Sequence, residues 1–371
     1  MTLLTLPSAR EEAWRWSDLA ALPRLAEAKP SGRGPGALPW IGGEGPRLLF
    51  VDGRLDESRS RLGPVEIGAV DAQAPDHPLA RLAGRAGWRL WLGRGHATGH
   101  PVQIIHAATG GADHLAAEIA LDADAQASVV ETFVGEGWAN RLAAIRLGRG
   151  ARLMLNRRLL ASSGFVSLAD RAQVGEGASL VVAALAAGGA DSRLDGAIEL
   201  TGEGGFAEAA GALLARGRQR HDINLVLRHA APGGMSRQLW RSVADDRGVC
   251  AVAARVEVAR DAQKTDAEQS LKGLLLSRTA TVNAKPELEI FADDVKCAHG
   301  ATVGELDRAA LFYLASRGVA PDEARSLLTR AFVADALDRI GEEEVRDAFY
   351  ADAEAWFANS PPLDGEGAGV G

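Results

Sequence analysis

Four segments of this chain place an apolar or β-branched residue before Gly-x-Gly: Val134-Gly135-Glu136-Gly137, Leu147-Gly148-Arg149-Gly150, Val174-Gly175-Glu176-Gly177 and Thr201-Gly202-Glu203-Gly204. Their starts fall 13, 27 and 27 residues apart, and that step restricts the fold more than any other feature. Glycine adopts the positive φ of a tight corner at no steric cost. The stretches between the corners, such as Arg152-Leu153-Met154-Leu155-Asn156 and Ser179-Leu180-Val181-Val182, read as strands. A step near 27 residues suits one coil of a parallel β-helix, where no rung can bury its inner face until the next is stacked on it. A sandwich of hairpins needs no fixed period. With 43 glycines and 5% aromatic residues, the chain suits thin repeated rungs better than a sandwich core. As nucleotide loops the corners fail, since they lack the third glycine and the following amphipathic helix of a dinucleotide fingerprint. None of the five lysines follows a glycine, so there is no Walker A loop.

The flanks differ from this middle. Glu11 to Ala28 reads as largely helical, with Leu19, Leu22 and Leu25 at helical intervals and Pro23 kinking or splitting the helix. Lys29 to Arg47, with Pro30, Pro35, Pro39 and Pro46 among six glycines, is a loop or linker. Leu48 to about Gly99 is mixed. After Gly304 the apolar period changes from two to about 3.6: Leu306, Ala309, Ala310 and Tyr313 make one face, and Gly318 ends the helix. Pro321, Asp322 and Glu323 open a second helix. Its stripe of Ala324, Leu327, Leu328, Ala331 and Phe332 either caps the solenoid or docks a partner. The expected organisation is an N-terminal region over 1–99, a β core over 100–304, a helical domain over 305–358 and a disordered Pro/Gly-rich tail over 359–371.

Just before the change of period lies Asp293-Asp294-Val295-Lys296-Cys297-Ala298-His299-Gly300-Ala301-Thr302. In an extended segment successive side chains alternate faces, so Cys297 and His299 project the same way and could reach one metal or cluster. The ordinary alternative makes Cys297 a small packed hydrophobe and His299 the hydrogen-bonded residue of a turn.

Glu287-Leu288-Glu289-Ile290 after Lys285-Pro286, the Cys-x-His-Gly-Ala-Thr segment and Leu311-Phe312-Tyr313-Leu314-Ala315-Ser316-Arg317-Gly318 resemble the C-terminal signature of the SufB/SufD family of iron-sulfur cluster assembly proteins, in the form of its SufD branch. Asp261-Ala262-Gln263-Lys264-Thr265-Asp266-Ala267, Leu274-Leu275-Leu276-Ser277 and Trp14-Arg15-Trp16-Ser17-Asp18-Leu19 are similar to the same family. Glu268 and Leu271-Lys272-Gly273 depart from its usual, more polar run. The resemblance implies a mainly β fold, with a right-handed parallel β-helix core between an N-terminal helical segment and a C-terminal helical domain. It implies a non-enzymatic scaffold subunit of a SufBCD complex. Its partners would be a SufB-like paralogue and a SufC-like ABC ATPase docked on the helical region through Leu327, Leu328 and Phe332, or a second copy in a homodimer when isolated. The implied cargo is a transient iron-sulfur cluster or iron at a subunit interface, with His299 as ligand and Cys297 as a weaker second. Clusters normally take four ligands, mostly thiolates, and this chain has only Cys250 and Cys297, so a partner must supply the rest.

Composition narrows the alternatives. A net charge of −8 without a basic, aromatic-interleaved stripe argues against nucleic acid. No run of eighteen apolar residues and no basic-then-apolar start is present, so a cytoplasmic protein that does not cross a membrane is expected. Two cysteines are too few for a disulfide scaffold. His96, His100, His106 and His114 lie among Gly95, Gly99 and Pro101, so a helix aligning the first two is not expected, and His221 and His229 read as structural. A β-helix enzyme acting on polysaccharide would need clustered carboxylates, and Asp191, Asp195 and Glu199 come nearest. The paralogous SufB role is disfavoured by the short chain and few cysteines.

Overall fold

The computed structural model describes residues 5–32 and 34–358; the expectation for the tail over 359–371 lies outside them. The chain forms β1 (Arg47–Val51), β2 (Arg54–Leu55), β3 (Val65–Ala69), β4 (Ala86–Leu92), β5 (Val102–Leu121), β6 (Gln126–Leu147), β7 (Arg152–Leu159) and β8 (Ser163–Val174). It continues through β9 (Ser179–Ala186), β10 (Asp191–Leu200), β11 (Phe206–Ala215), β12 (Arg220–His229), β13 (Met235–Ala244), β14 (Val249–Val258), β15 (Asp266–Leu275), β16 (Thr281–Ile290) and β17 (Lys296–Gly304). These make a parallel β-solenoid of about eight turns. One face stacks β4, the second half of β5, the second half of β6, β8, β10, β12, β14 and β16. The other stacks β1, the first halves of β5 and β6, then β7, β9, β11, β13, β15 and β17. The parallel pairing therefore begins before residue 100, in what the sequence left as a mixed region.

Coil length is legible in the register. Arg152 stands beside Ser179, and Ser179 beside Phe206. The step of 27 then lengthens, with Phe206 beside Met235 and Met235 beside Asp266. The corners form a column of residues at positive φ, namely Gly150, Gly177, Gly204, Gly233 and Lys264. Each donates its N–H to the next rung: Gly150 to the Glu176 carbonyl at 2.8 Å, Gly177 to Glu203 at 2.9 Å and Gly204 to Pro232 at 3.1 Å. Three of the four Gly-x-Gly segments thus belong to one corner. The first, at Gly135-Glu136-Gly137, bends β6 at the opposite corner, which is why its step is half a coil. There a Cβ on Gly164 would stand 1.9 Å from the Gly137 carbonyl oxygen, so backbone packs on backbone.

The lumen is filled by alternate residues of both faces, among them Leu155, Val182, Ala209, Leu194, Ile223 and Leu225. It also holds a charged cluster. Glu131 meets Arg141 at 2.7 Å and Arg157 at 3.3 Å, while Asp170 takes both Arg157 nitrogens at 2.5 and 2.8 Å. Paired charge is what makes such burial tolerable.

The N-terminal segment is less helical than its leucine spacing suggested: it holds a 3-10 turn at Glu12–Trp14 and the short α1 (Leu22–Glu27), with Leu19 outside both and Pro23 in the first turn of α1, where its missing N–H costs nothing. This segment lies across the outer face of the first stack. Trp14 covers the Arg193 guanidinium at 3.9 Å, and Arg193 holds Asp195 and Asp222 at 2.7 and 2.6 Å. At the C-terminal side come α2 (Arg308–Ser316), α3 (Pro321–Leu337) and α4 (Glu343–Ala358). Asp307 caps α2, accepting from the Ala309 N–H at 2.8 Å. Helices α3 and α4 do not close the end of the solenoid. They lie along its flank, where Val333, Leu337, Ile340, Phe349 and Trp356 pack with Val130, Leu185, Leu214 and Val243. Arg158 on β7 reaches Asp352 on α4 at 2.6 and 2.9 Å. Among the described residues no helix is long and apolar enough to cross a membrane.

Candidate functional site

The last coil is open. Among the described residues strand β17 pairs only with β15, and β16 only with β14, so each leaves a free edge. Because Lys296 donates its N–H to the Thr265 carbonyl, the alternate N–H groups of Cys297, His299, Ala301 and Val303 face outward. On β16 the Thr281 and Phe291 N–H groups go to β14, so the even residues face the edge, and Pro286 at the centre has no donor to offer. The two edges are therefore unequal, with β17 the more complete template for another strand.

Register places the sequence-derived pair as the alternation predicted. Cys297 stands beside Ala267 and His299 beside Gln269, both of which are buried. Cys297 and His299 thus lie on the inward face of a rung that has nothing stacked above it. His299 is exposed, and its ring makes no hydrogen bond or ion pair among the described residues. Small neighbours Ala298, Gly300 and Ala301 leave it unobstructed. Cys297 is half-buried and packs with Val256, Val258, Ala262 and Ala292. Burial pushes its thiol up, the Asp266 carboxylate adds to this, and a hydrogen bond with the Ala267 backbone opposes it. The imidazole is consequently the more available donor, while the thiol also serves as packing. Cys250 is fully buried and its thiol is pushed far up by burial. Among the described residues no three His, Cys, Asp or Glu side chains converge on a metal-sized site. This chain presents two donors at an open end, half of what a cluster normally takes.

The apolar stripe on α3 is divided. Leu327 and Ala331 are exposed, Leu328 and Phe332 half-buried, and Ala324 buried; Phe332 packs against the flank cluster. Periodicity missed the larger exposed group at the same end: Phe312 on α2 is 76% exposed, and Phe291, just beyond β16, is 60% exposed, with Tyr313 and Val303 also in solvent. Helix α2 buries none of its residues. Two lysines of the last coils are held in ion pairs, Lys264 with Asp294 and Lys285 with Glu12 and Glu287.

The other sequence candidates are structural. His106 is stacked between Phe50 and Phe133, with Glu131 at 3.3 Å. His114 lies edge-on to Trp138. His221 meets the Ser192 hydroxyl at 2.8 Å, and His229 meets that of Ser236 at 2.9 Å. The acidic trio is dispersed: Asp195 is bound by Arg193, Glu199 faces Arg228 at 3.6 Å, and Asp191 accepts from the Arg220 N–H at 2.8 Å. No opposed carboxylate pair is formed there.

The family model for the SUF system FeS cluster assembly, SufBD core domain, matches residues 104–332, more than half of the chain. The iron-sulfur cluster assembly protein SufD of Escherichia coli (strain K12) is 28% identical over 382 aligned positions, covering 93% of this chain and 88% of that protein. Protein ABCI7, chloroplastic, of Arabidopsis thaliana is 33% identical over 230 positions, covering 59% of this chain and 48% of that protein. The SufBD family protein slr0076 of Synechocystis sp. is 41% identical over 124 positions, 33% of this chain and 27% of that protein.

Proposed function

This chain belongs to the SufBD core family of the SUF iron-sulfur cluster assembly system, and on that premise we propose that it is a SufD-like scaffold subunit of a cytoplasmic SufBCD-type complex. The observation that carries this reading is the open last coil, with His299 and Cys297 on its inward face and a free β17 edge beside them. A SufB-like paralogue stacks on that end and completes the coordination shell. Nascent iron and sulfide are the cargo, held between subunits. A neutral imidazole is a competent ligand for iron, and His299 supplies it here. Cys297 contributes less, because its thiol is half-buried and pushed up. In the absence of the paralogue, a second copy of this chain takes the same edge and gives a homodimer.

The chain performs no catalysis of its own in this reading. ATP hydrolysis belongs to a SufC-like ATPase, which docks on the exposed apolar surface of α2 and α3, with Leu327, Phe312 and Tyr313 leading and Leu328 and Phe332 at the margin. The nucleotide can shift the assembly only through a difference in affinity between its states. The test is His299→Ala, expressed with its partners and purified anaerobically. The variant should form the complex and support ATP hydrolysis, yet hold little iron and acid-labile sulfide. Cys297→Ala should be milder. Wild-type cluster content in the His299 variant would remove the imidazole from the assembly site.

A further inference from the structure

One inward column of the solenoid changes character as it approaches the open end. Val102, Val129, Leu155, Val182 and Ala209 stand in register on successive rungs, followed by Gln238, Gln269 and His299. Gln269 is only 2% exposed although a single rung stands above it. Its Nε2 donates to the Ala254 carbonyl at 2.9 Å, and that bond decides which end of the amide is oxygen. The Oε1 is buried and has no partner. A buried acceptor without a partner is costly, and a donor brought within reach of it would remove that cost. Gln238 repeats the arrangement one rung deeper, its Nε2 on the Arg255 carbonyl at 3.2 Å and its Oε1 unpartnered. Neither glutamine satisfies the other, and the residue directly above Gln269 is His299, on a strand about 4.8 Å away.

We infer that Gln269 is a positioning residue for His299: when the exposed imidazole turns down toward the rung below, the Gln269 Oε1, unpartnered in the structure, accepts the N–H of one ring nitrogen and fixes the tautomer, so that the other nitrogen presents its lone pair to the open end. A ligating histidine is characteristically held this way by an oxygen acceptor on its second nitrogen, which also raises its basicity toward the metal. The inference rests on the reading of His299 as a ligand, and it adds the residue that aims it. It also accounts for the change of this one column from Val102, Val129, Leu155, Val182 and Ala209 to Gln238, Gln269 and His299 at its last rungs.

The test reads the ring itself. In full-length chain labelled with 15N at histidine, at a pH where the ring is neutral, long-range 15N–1H spectra report which nitrogen of His299 carries the proton; His299→Ala assigns the signal. The wild type should show a single tautomer. Gln269→Leu, which keeps the volume and removes the acceptor, should give the mixture of a free imidazole. Gln269→Glu keeps an acceptor and should restore one tautomer, and dispersed spectra confirm that each variant is folded. A mixed tautomer in the wild type, or one tautomer retained in Gln269→Leu, would overturn the assignment. The ligand reading fails separately: if His299→Ala holds a full cluster while the wild-type ring is a single tautomer, Gln269 still orients His299 and the assembly site lies elsewhere.

Discussion

Asp113→Asn should stabilise this protein in alkali and leave it nearly unchanged in acid. Asp113 lies on β5 beside the irregularity between Thr109 and Ala112, is 5% exposed, and leaves its Oδ2 without a hydrogen-bond partner. Burial, and after it the Asp52 carboxylate, push its carboxyl from 3.8 up to about 7. The folded value lies above the unfolded one, so the contribution of this group is fully present below pH 3.8 and is lost as pH rises through about 7. At about 1.4 kcal/mol for each pKa unit, the full swing is about 4 kcal/mol, of which about 3 kcal/mol falls between pH 5 and pH 8. Asparagine has the same shape and cannot ionise. Urea unfolding of wild type and variant at both pH values gives the gap between them directly. That gap should be about 1.5 kcal/mol at pH 5 and widen by about a further 3 kcal/mol in favour of the variant at pH 8. A gap that does not change with pH would show that Asp113 is hydrated or ion-paired in solution, and the argument from its burial would fall.

The buried histidines titrate with the opposite sign. His221 and His229 are each pushed down to about 4 by burial, so their contribution is present above pH 6.5 and lost as pH falls through 4, about 3 kcal/mol each; His221→Gln and His229→Gln should flatten the acid limb of the same urea series. At the corners, a Cβ on Gly202 would stand 2.0 Å from the Glu176 nitrogen, whereas one on Gly177 meets nothing within 4 Å. Gly202→Ala should therefore cost about 3 kcal/mol and Gly177→Ala about 1 kcal/mol from its positive φ, and equal losses in thermal melts would contradict the stacked-corner account. For the ATPase surface, Phe312→Asp and Leu327→Asp should weaken binding of the SufC-like partner by tenfold or more, about 1.4 kcal/mol, with no loss of melting temperature. Truncation after Thr302 is the poorer experiment, because it uncovers Leu185, Leu214 and Val243 on the solenoid flank.

What the sequence determined by itself is local in origin. Gly150, Gly177 and Gly204 announce their corners because a positive φ is a property of one residue. Cys297 and His299 share a face because strand alternation is a property of neighbours. The α2 and α3 boundaries are set by Asp307, Gly318 and Pro321 within a turn of each helix end. Tertiary structure decided whatever depends on the rung above or below. It assigned Gly135-Glu136-Gly137 to the opposite corner and laid α3 and α4 along the flank, which buries Val333 and Leu337 and half-buries Phe332 while leaving Leu327 in solvent. It brought Trp14 onto Arg193, and it set Gln269 beneath His299. In a solenoid each side chain meets its neighbours roughly one coil away in the chain, and that distance lies beyond what local propensity or periodicity can register.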